Sequence, residues 1–63
     1  MKNEERIEVF MRLGLTMNQA RVYLALARLG LTTAKRLSKD AQISRQDVYR
    51  VMSELQEIGL LRN

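Results

Sequence analysis

The fold is decided by residues 32–58, which read TTAKRLSKDAQISRQDVYRVMSELQEI. From Ser44 onward, apolar residues recur every three or four positions, as they do on one face of an α-helix. They are Val48, Val51, Met52, Leu55 and Ile58. Ser44 is a favoured N-cap residue, and Asp47 follows three residues later as an acidic capping partner. The spacing predicts a helix over 44–58.

A shorter helix over 33–41 precedes it. Thr32 or Thr33 is expected to cap this helix, and the inward positions are Ala34, Leu37 and Ala41. No glycine ends it, so residues 40–43 must turn the chain sharply before Ser44. Two helices joined by a turn of three or four residues form a helix-turn-helix.

Three glycines mark the ends of the other helices. Gly14, Gly30 and Gly59 each follow an apolar residue and precede a leucine. Glycine adopts the left-handed conformation that ends a helix, and an apolar residue beyond it folds back onto the last turn. We therefore expect helix C-termini at these three positions.

Two further helices lie upstream. Residues 1–13 are expected to form an N-terminal helix capped by Asn3, with Ile7, Phe10 and Met11 as its apolar stripe. Thr16 and Gln19 have the spacing of a capping box and predict a central helix over 16–29. Its inward positions are Ala20, Val22, Tyr23, Leu24, Leu26, Ala27 and Leu29. The whole chain, residues 1–63, is expected to be one all-α domain of three to four helices.

The composition excludes several kinds of catalytic and metal-binding site. The 63 residues include neither cysteine nor histidine, which rules out disulfides, the common zinc sites and thiolate catalysis. Ser38, Ser44 and Ser53 have no histidine to activate them. We therefore expect no enzyme, no catalytic residue, no cofactor and no metal ion.

No apolar run is long enough to span a membrane and the charged N-terminus is not a signal peptide, so a cytoplasmic location is expected.

The positive charge lies in the middle of the chain. The net charge is +4, and residues 14–53 alone carry a net +5. Such a segment favours a polyanionic partner, nucleic acid before an acidic membrane surface. The alternative is a basic surface that only keeps the protein in solution.

The outward face of the 44–58 helix favours DNA. Removing the apolar positions leaves a stripe of Arg45, Gln46, Tyr49, Arg50 and Ser53. Arginine and glutamine near a helix N-terminus pair with the base edges of guanine and adenine, and Ser44 with the first-turn N–H groups can hold a phosphate. Apart from Asp47 in the first turn, the acidic residues of this helix, Glu54 and Glu57, lie toward its C-terminal end, away from the groove. This helix is therefore expected to enter the major groove of duplex DNA.

The preceding helix is expected to cross the phosphate backbone. Thr33 at its start can bind one phosphate, and Lys35 and Lys39 share a face four residues apart. The alternative role for these lysines is solubility.

The N-terminal helix has more apolar residues than a narrow stripe needs. A two-fold homodimer seam through Ile7, Phe10 and Met11 accounts for them. The rival function is a protein–protein interaction module that uses a helix-turn-helix scaffold without binding DNA. RNA is a weaker alternative because the three aromatic residues offer no strand platform for stacking bases.

From Leu13 to Leu61 the chain resembles the winged-helix DNA-binding domain of the TrmB-like transcriptional regulators, a mainly archaeal family. The resemblance is carried by residues 13–16, 20–26, 29–30, 33–34, 43–45, 48–52, 55 and 59–60, which read LGLT, ARVYLAL, LG, TA, ISR, VYRVM, L and GL. It implies a dimeric regulator whose last helix enters the major groove of a palindromic site. Ser44, Arg45, Tyr49 and Arg50 would then lie on the DNA-facing helix.

Two features depart from that family. Gln42 stands where the family usually has glycine, and a left-handed conformation costs glutamine about 1 kcal/mol more. Either the turn differs or position 42 is not left-handed. Only residues 60–63 follow Gly59, too few for the two strands of a wing, and no sugar-binding effector domain follows. The chain is then either the start of a longer protein or a small regulator without a wing.

Overall fold

The computed structural model describes residues 3–61, which form four α-helices: α1 (Asn3–Arg12), α2 (Met17–Leu29), α3 (Ala34–Ala41) and α4 (Arg45–Glu57). The segments between them are turns and caps, and residues 3–61 contain no strand. The all-α prediction is confirmed. Helix α1 begins at Asn3 itself rather than after it. The predicted positions 1, 2, 62 and 63 lie outside the described residues.

Side-chain caps start the last three helices. The Thr16 hydroxyl accepts a hydrogen bond from the Gln19 N–H at 3.1 Å, and Gln19 Oε1 accepts one from the Thr16 N–H at 3.0 Å. These two bonds complete the predicted capping box. Ser44 caps α4 by accepting from the Asp47 N–H at 3.1 Å. The Asp47 carboxylate does not return to Ser44 among the described contacts and faces Arg50 instead.

Glycines with positive φ follow three helices, as expected: Gly14 after α1, Gly30 after α2 and Gly59 after α4. The leucines behind them behave differently from one another. Leu15 packs against the core, but Leu31 is fully exposed, so the predicted fold-back is wrong there. Beyond Gly59 the prediction is also wrong for Leu60, which is 41% exposed, and Leu61 packs against the core instead.

Ile58 is another error of the sequence analysis. Helical spacing predicts this residue on the inner face of α4, but it is 54% exposed. The reason is that α4 ends at Glu57 and the backbone leaves helical geometry at Ile58, with ψ near 2°. The chain then brings Leu61 to the core in its place.

The core lies among α2, α3 and α4. One buried cluster joins Val22, Ala41, Val51 and Leu55, and a second joins Ala25, Leu37 and Val48. Helix α2 packs on each of the other three helices, as expected of a central helix. Its predicted inward face is wrong at Ala27, which is exposed, while the neighbouring Ala25 is buried because it faces α3 and α4.

Helix α1 is peripheral, since it packs on α2 alone and buries none of its residues. Its main anchor is Phe10, whose ring meets the ring of Tyr23 edge-on with centroids 5.3 Å apart. Because α1 packs on neither α3 nor α4, it leaves the outer faces of those two helices uncovered.

Candidate nucleic-acid interface

The turn between α3 and α4 is tight and closed by hydrogen bonds. Gln42 is left-handed, with φ 61° and ψ 42°, and its N–H still donates to the Ser38 carbonyl. The Ser38 hydroxyl donates to the Ile43 carbonyl at 2.6 Å, while the Ile43 N–H donates to the Ser38 carbonyl at 3.2 Å. Position 42 is therefore left-handed although glutamine, not glycine, occupies it. Sequence reasoning missed Ser38, whose role depends on the chain folding back.

The predicted stripe of α4 faces solvent. Its exposed members are Arg45, Gln46, Tyr49, Arg50 and Ser53. The opposite face of the same helix is buried through Val48, Val51 and Leu55. Tyr49 is 62% exposed, so its ring is not part of the core. The helix thus presents a row of polar and basic groups along one side.

The basic residues of α3 are exposed on the neighbouring helix. Lys35 and Lys39 both face solvent. At the start of α3, the Thr33 hydroxyl accepts a hydrogen bond from the Arg36 N–H at 3.2 Å. Thr33 and Ser44 therefore use their oxygens as caps. Each keeps its O–H proton available to an outside acceptor, because a hydroxyl both donates and accepts.

Arg50 has acidic neighbours on both sides along α4. Its Nη2 lies 3.4 Å from Asp47 Oδ1, and its Nε lies 3.9 Å from Glu54 Oε2. The Arg50 side chain is nevertheless 57% exposed. The carboxylates thus hold part of the guanidinium, while the rest remains open to solvent.

Glu54 is fixed from a distant part of the sequence. Its Oε1 accepts a hydrogen bond of 3.0 Å from Gln19 Nε2, at a partly buried position. Beside this bond is an open groove of about 310 Å³, lined by Thr16, Met17, Asn18, Arg50 and Glu54. The start of α2 therefore borders the exposed stripe of α4, which sequence reasoning did not foresee.

Some of the central positive charge lies elsewhere. Arg21 and Arg28 of α2, with Arg6 of α1, line a groove of about 290 Å³ between α1, α2 and the end of α3. Arg28 pairs there with Asp40. The charge of residues 14–53 is thus divided between this groove and the outer faces of α3 and α4.

The three residues expected at a dimer seam occupy different environments. Ile7 and Phe10 are half-buried toward their own domain. Met11 is 42% exposed, and its exposed apolar neighbours along the chain are Val9 and Leu13. The exposed apolar side chains in this region are thus Val9, Met11 and Leu13, and Met11 projects from a different side of the helix than Val9 does.

Together these features define a helix-turn-helix domain, with a capped first helix, a tight turn and a second helix that presents polar and basic residues outward. Within residues 3–61, no helix has the length and hydropathy needed to cross a membrane. Comparison with protein families shows which family the chain is related to. Residues 10–63 match the model of the family described as sugar-specific transcriptional regulator TrmB.

The chain therefore belongs to the TrmB family, and the resemblance seen in its sequence is confirmed. That family is one of transcriptional regulators, a class of protein for which DNA is the expected partner. No curated protein and no solved structure was found to match.

Proposed function

We propose that this chain binds duplex DNA in a sequence-specific manner, in the cytoplasm, by placing α4 in the major groove. The observation that carries the proposal is the two-sided character of α4. Val48, Val51 and Leu55 fix one side in the core, while the other side is an exposed polar and basic stripe. A rigid helix with such a face suits the recognition role in a helix-turn-helix.

Base reading is assigned to the first turns of α4. Arg45 and Gln46 stand there, exposed, next to the N-terminus that enters the groove. Arginine offers paired donors to guanine, and glutamine offers a donor and an acceptor to adenine. Arg50 and Ser53 stand further along the same stripe and contact the flanking base or phosphate.

Phosphate contacts are assigned to the residues around this stripe. Lys35 and Lys39 supply charge from α3, and Tyr49 supplies its phenol hydroxyl. Thr33 and Ser44 add hydroxyl donors at two helix N-termini, where the helix dipole also favours an anion. Contacts of this kind fix the position of the protein on DNA without reading its sequence.

We further propose that the chain acts as a homodimer with α1 at the two-fold seam. Helix α1 packs only on α2 and leaves Val9, Met11 and Leu13 exposed. Residues two positions apart project from nearly opposite sides of a helix, so Met11 lies on a different flank of α1 from Val9 and Leu13. Pairing two copies of α1 along the Met11 flank would cover Met11 and would match a palindromic DNA site.

The test is fluorescence anisotropy of a labelled mixed-sequence duplex, titrated with the chain at several salt concentrations. If three or four phosphates are neutralised, the slope of log affinity against log salt should be on the order of −3. Two variants that each remove one positive charge provide the comparison. Lys35→Gln lies in the proposed interface, whereas Arg12→Gln lies on α1 beside Glu8.

Lys35→Gln should make the slope shallower by about 0.9, and Arg12→Gln should leave it unchanged. Equal effects of the two variants would mean that DNA is attracted by the overall positive charge and not by the proposed interface. No binding at micromolar protein in low salt would overturn the proposal. The second candidate, an interaction module that meets a protein through the exposed apolar side chains of α1, would then take its place.

A further inference from the structure

We propose that Glu54 is a positioning residue for DNA recognition, which orients Arg50 and thereby raises discrimination between DNA sequences. This inference rests on the proposed function of α4. It assigns a role to an acidic residue beside a DNA-facing stripe, where net repulsion from phosphate would otherwise be a disadvantage.

The first step is that Glu54 is held in place. One of its carboxylate oxygens accepts the 3.0 Å hydrogen bond from Gln19 Nε2. Gln19 is itself fixed, because its backbone N–H and its Oε1 both take part in the capping box with Thr16. Glu54 is therefore tied to the N-terminus of α2 across 35 positions of sequence.

The second step is that the other oxygen of Glu54 faces Arg50. Oε2 lies 3.9 Å from Arg50 Nε, and Asp47 Oδ1 lies 3.4 Å from Nη2 on the other side. Both distances are those of ion pairs rather than of short hydrogen bonds. The two carboxylates thus face the Nε and Nη2 sides of the guanidinium, which is still 57% exposed.

The third step is the consequence for binding. A guanidinium between two carboxylates loses part of its attraction for phosphate, which occurs at every position of every duplex. Its orientation is better defined, and the donors that remain can still meet the acceptor pair on a guanine edge. Affinity for arbitrary DNA falls while discrimination rises, since specificity is a difference between two affinities.

The experiment compares Glu54→Gln with Glu57→Gln. The first keeps an amide oxygen to accept from Gln19 but removes the charge that faces Arg50. The second removes the same charge from an exposed position of α4 that has no described ion pair. Affinity is measured by anisotropy on a mixed-sequence duplex, and discrimination by sequencing the duplexes retained from a pool with a randomised central segment.

Glu54→Gln should bind the mixed duplex more tightly than Glu57→Gln does, by roughly 2- to 5-fold, as one weak ion pair allows. The slope of log affinity against log salt should be steeper for Glu54→Gln than for Glu57→Gln by about 0.9, because Arg50 becomes free to bind phosphate. Sequence preference in the retained pool should weaken for Glu54→Gln and not for Glu57→Gln. In the Arg50→Ala background the effect of Glu54→Gln should disappear.

Equal behaviour of the two glutamine variants would overturn the positioning role while leaving the proposed function intact. A Glu54→Gln effect that persists without Arg50 would do the same. Failure of the wild type to bind any duplex in low salt is a different outcome, which would remove the proposed function and the positioning role together. Far-ultraviolet circular dichroism and urea unfolding of each variant show whether the fold is retained.

Discussion

Gln42 is the only non-glycine residue among 3–61 with a positive φ, at the turn that sets the angle between α3 and α4. The left-handed conformation costs a residue with a Cβ about 1 kcal/mol relative to glycine. Gln42 is exposed, and its side chain makes no hydrogen bond within the described part of the chain. The left-handed backbone at Gln42 therefore costs free energy. The hydrogen bond of Ser38 across the turn and the burial of the neighbouring Ala41 help to stabilise it.

Gln42→Gly should stabilise the domain by about 0.5–1 kcal/mol, because relief of the Cβ penalty outweighs the extra freedom of the unfolded chain. The midpoint of urea unfolding measures the change. Gln56→Gly is the matched control, since Gln56 is exposed in right-handed helix near the end of α4. That variant should lose stability. A loss at position 42 as well would contradict the strain assigned to the turn.

Ser38 supplies the opposite case, a residue whose removal should weaken the turn. Ser38→Ala deletes the hydroxyl that donates to the Ile43 carbonyl at 2.6 Å in a partly buried position. The expected loss is about 1 kcal/mol in the free energy of unfolding, typical of one hydrogen bond of this kind. Ser53→Ala is the control, because Ser53 is an exposed serine of α4 whose hydroxyl has no described partner. Equal stability of the two variants would show that the bond contributes nothing.

At the scale of elements, the sequence predicts what is periodic and local. The inner positions 48, 51 and 55 of α4, the cap residues Thr16, Thr33 and Ser44, and the exposure of the α4 stripe all follow from helical spacing. They depend on residues within a few positions of one another, so pattern alone determines them.

The contacts that escaped prediction join distant elements. Gln19 reaches Glu54, and Arg28 pairs with Asp40, only because α2 crosses α4 and α3 at particular angles. The errors at Leu31 and Ile58 have a related cause, since both lie where a helix has just ended. The direction of the chain there is set by tertiary packing rather than by periodicity.

The two helices of the motif should respond differently to loss of charge. Arg45→Ala on α4 should weaken binding to selected sequences by about 1–3 kcal/mol and relax the preference at one base pair, as expected for a base contact. Lys39→Ala on α3 should weaken all sequences to a similar extent and make the salt slope shallower by about 0.9, as expected for a phosphate contact.

Anisotropy on selected and mixed duplexes separates these cases, with Arg12→Gln on α1 as the control for charge alone. An equal loss on every sequence for Arg45→Ala would reassign Arg45 to phosphate. An unchanged salt slope for Lys39→Ala would remove Lys39 from the interface.

At the scale of the whole molecule, the domain exposes more surface than its mass predicts. Its accessible area is 4773 Å², whereas a compact monomer of 7.3 kDa should expose about 4,200 Å². The Cα radius of gyration is 10.7 Å, close to the roughly 10.6 Å expected for a compact chain of this length. The excess therefore does not come from an extended shape. Among the four helices, α1 is the one with no buried residue.

A homodimer through α1 would cover part of this excess and would link stability to association. Met11→Glu tests the seam most directly, because Met11 is exposed and is not needed for the Phe10–Tyr23 contact inside the domain. Two-fold symmetry places two introduced carboxylates in the seam, one from each copy, so the dimer dissociation constant should rise by at least about tenfold. Sedimentation equilibrium measures it, and the melting temperature should depend less on protein concentration than in the wild type.

Leu31→Glu is the matched control for this experiment. It introduces the same charge at a fully exposed leucine between α2 and α3, well separated in sequence from α1. The control should associate as the wild type does. If Met11→Glu and Leu31→Glu share the wild-type dissociation constant, the seam does not run through Met11. If the wild type stays at the mass of one chain at high concentration, two-fold recognition of DNA would have to arise on the DNA itself, with each copy of α4 binding its half-site independently.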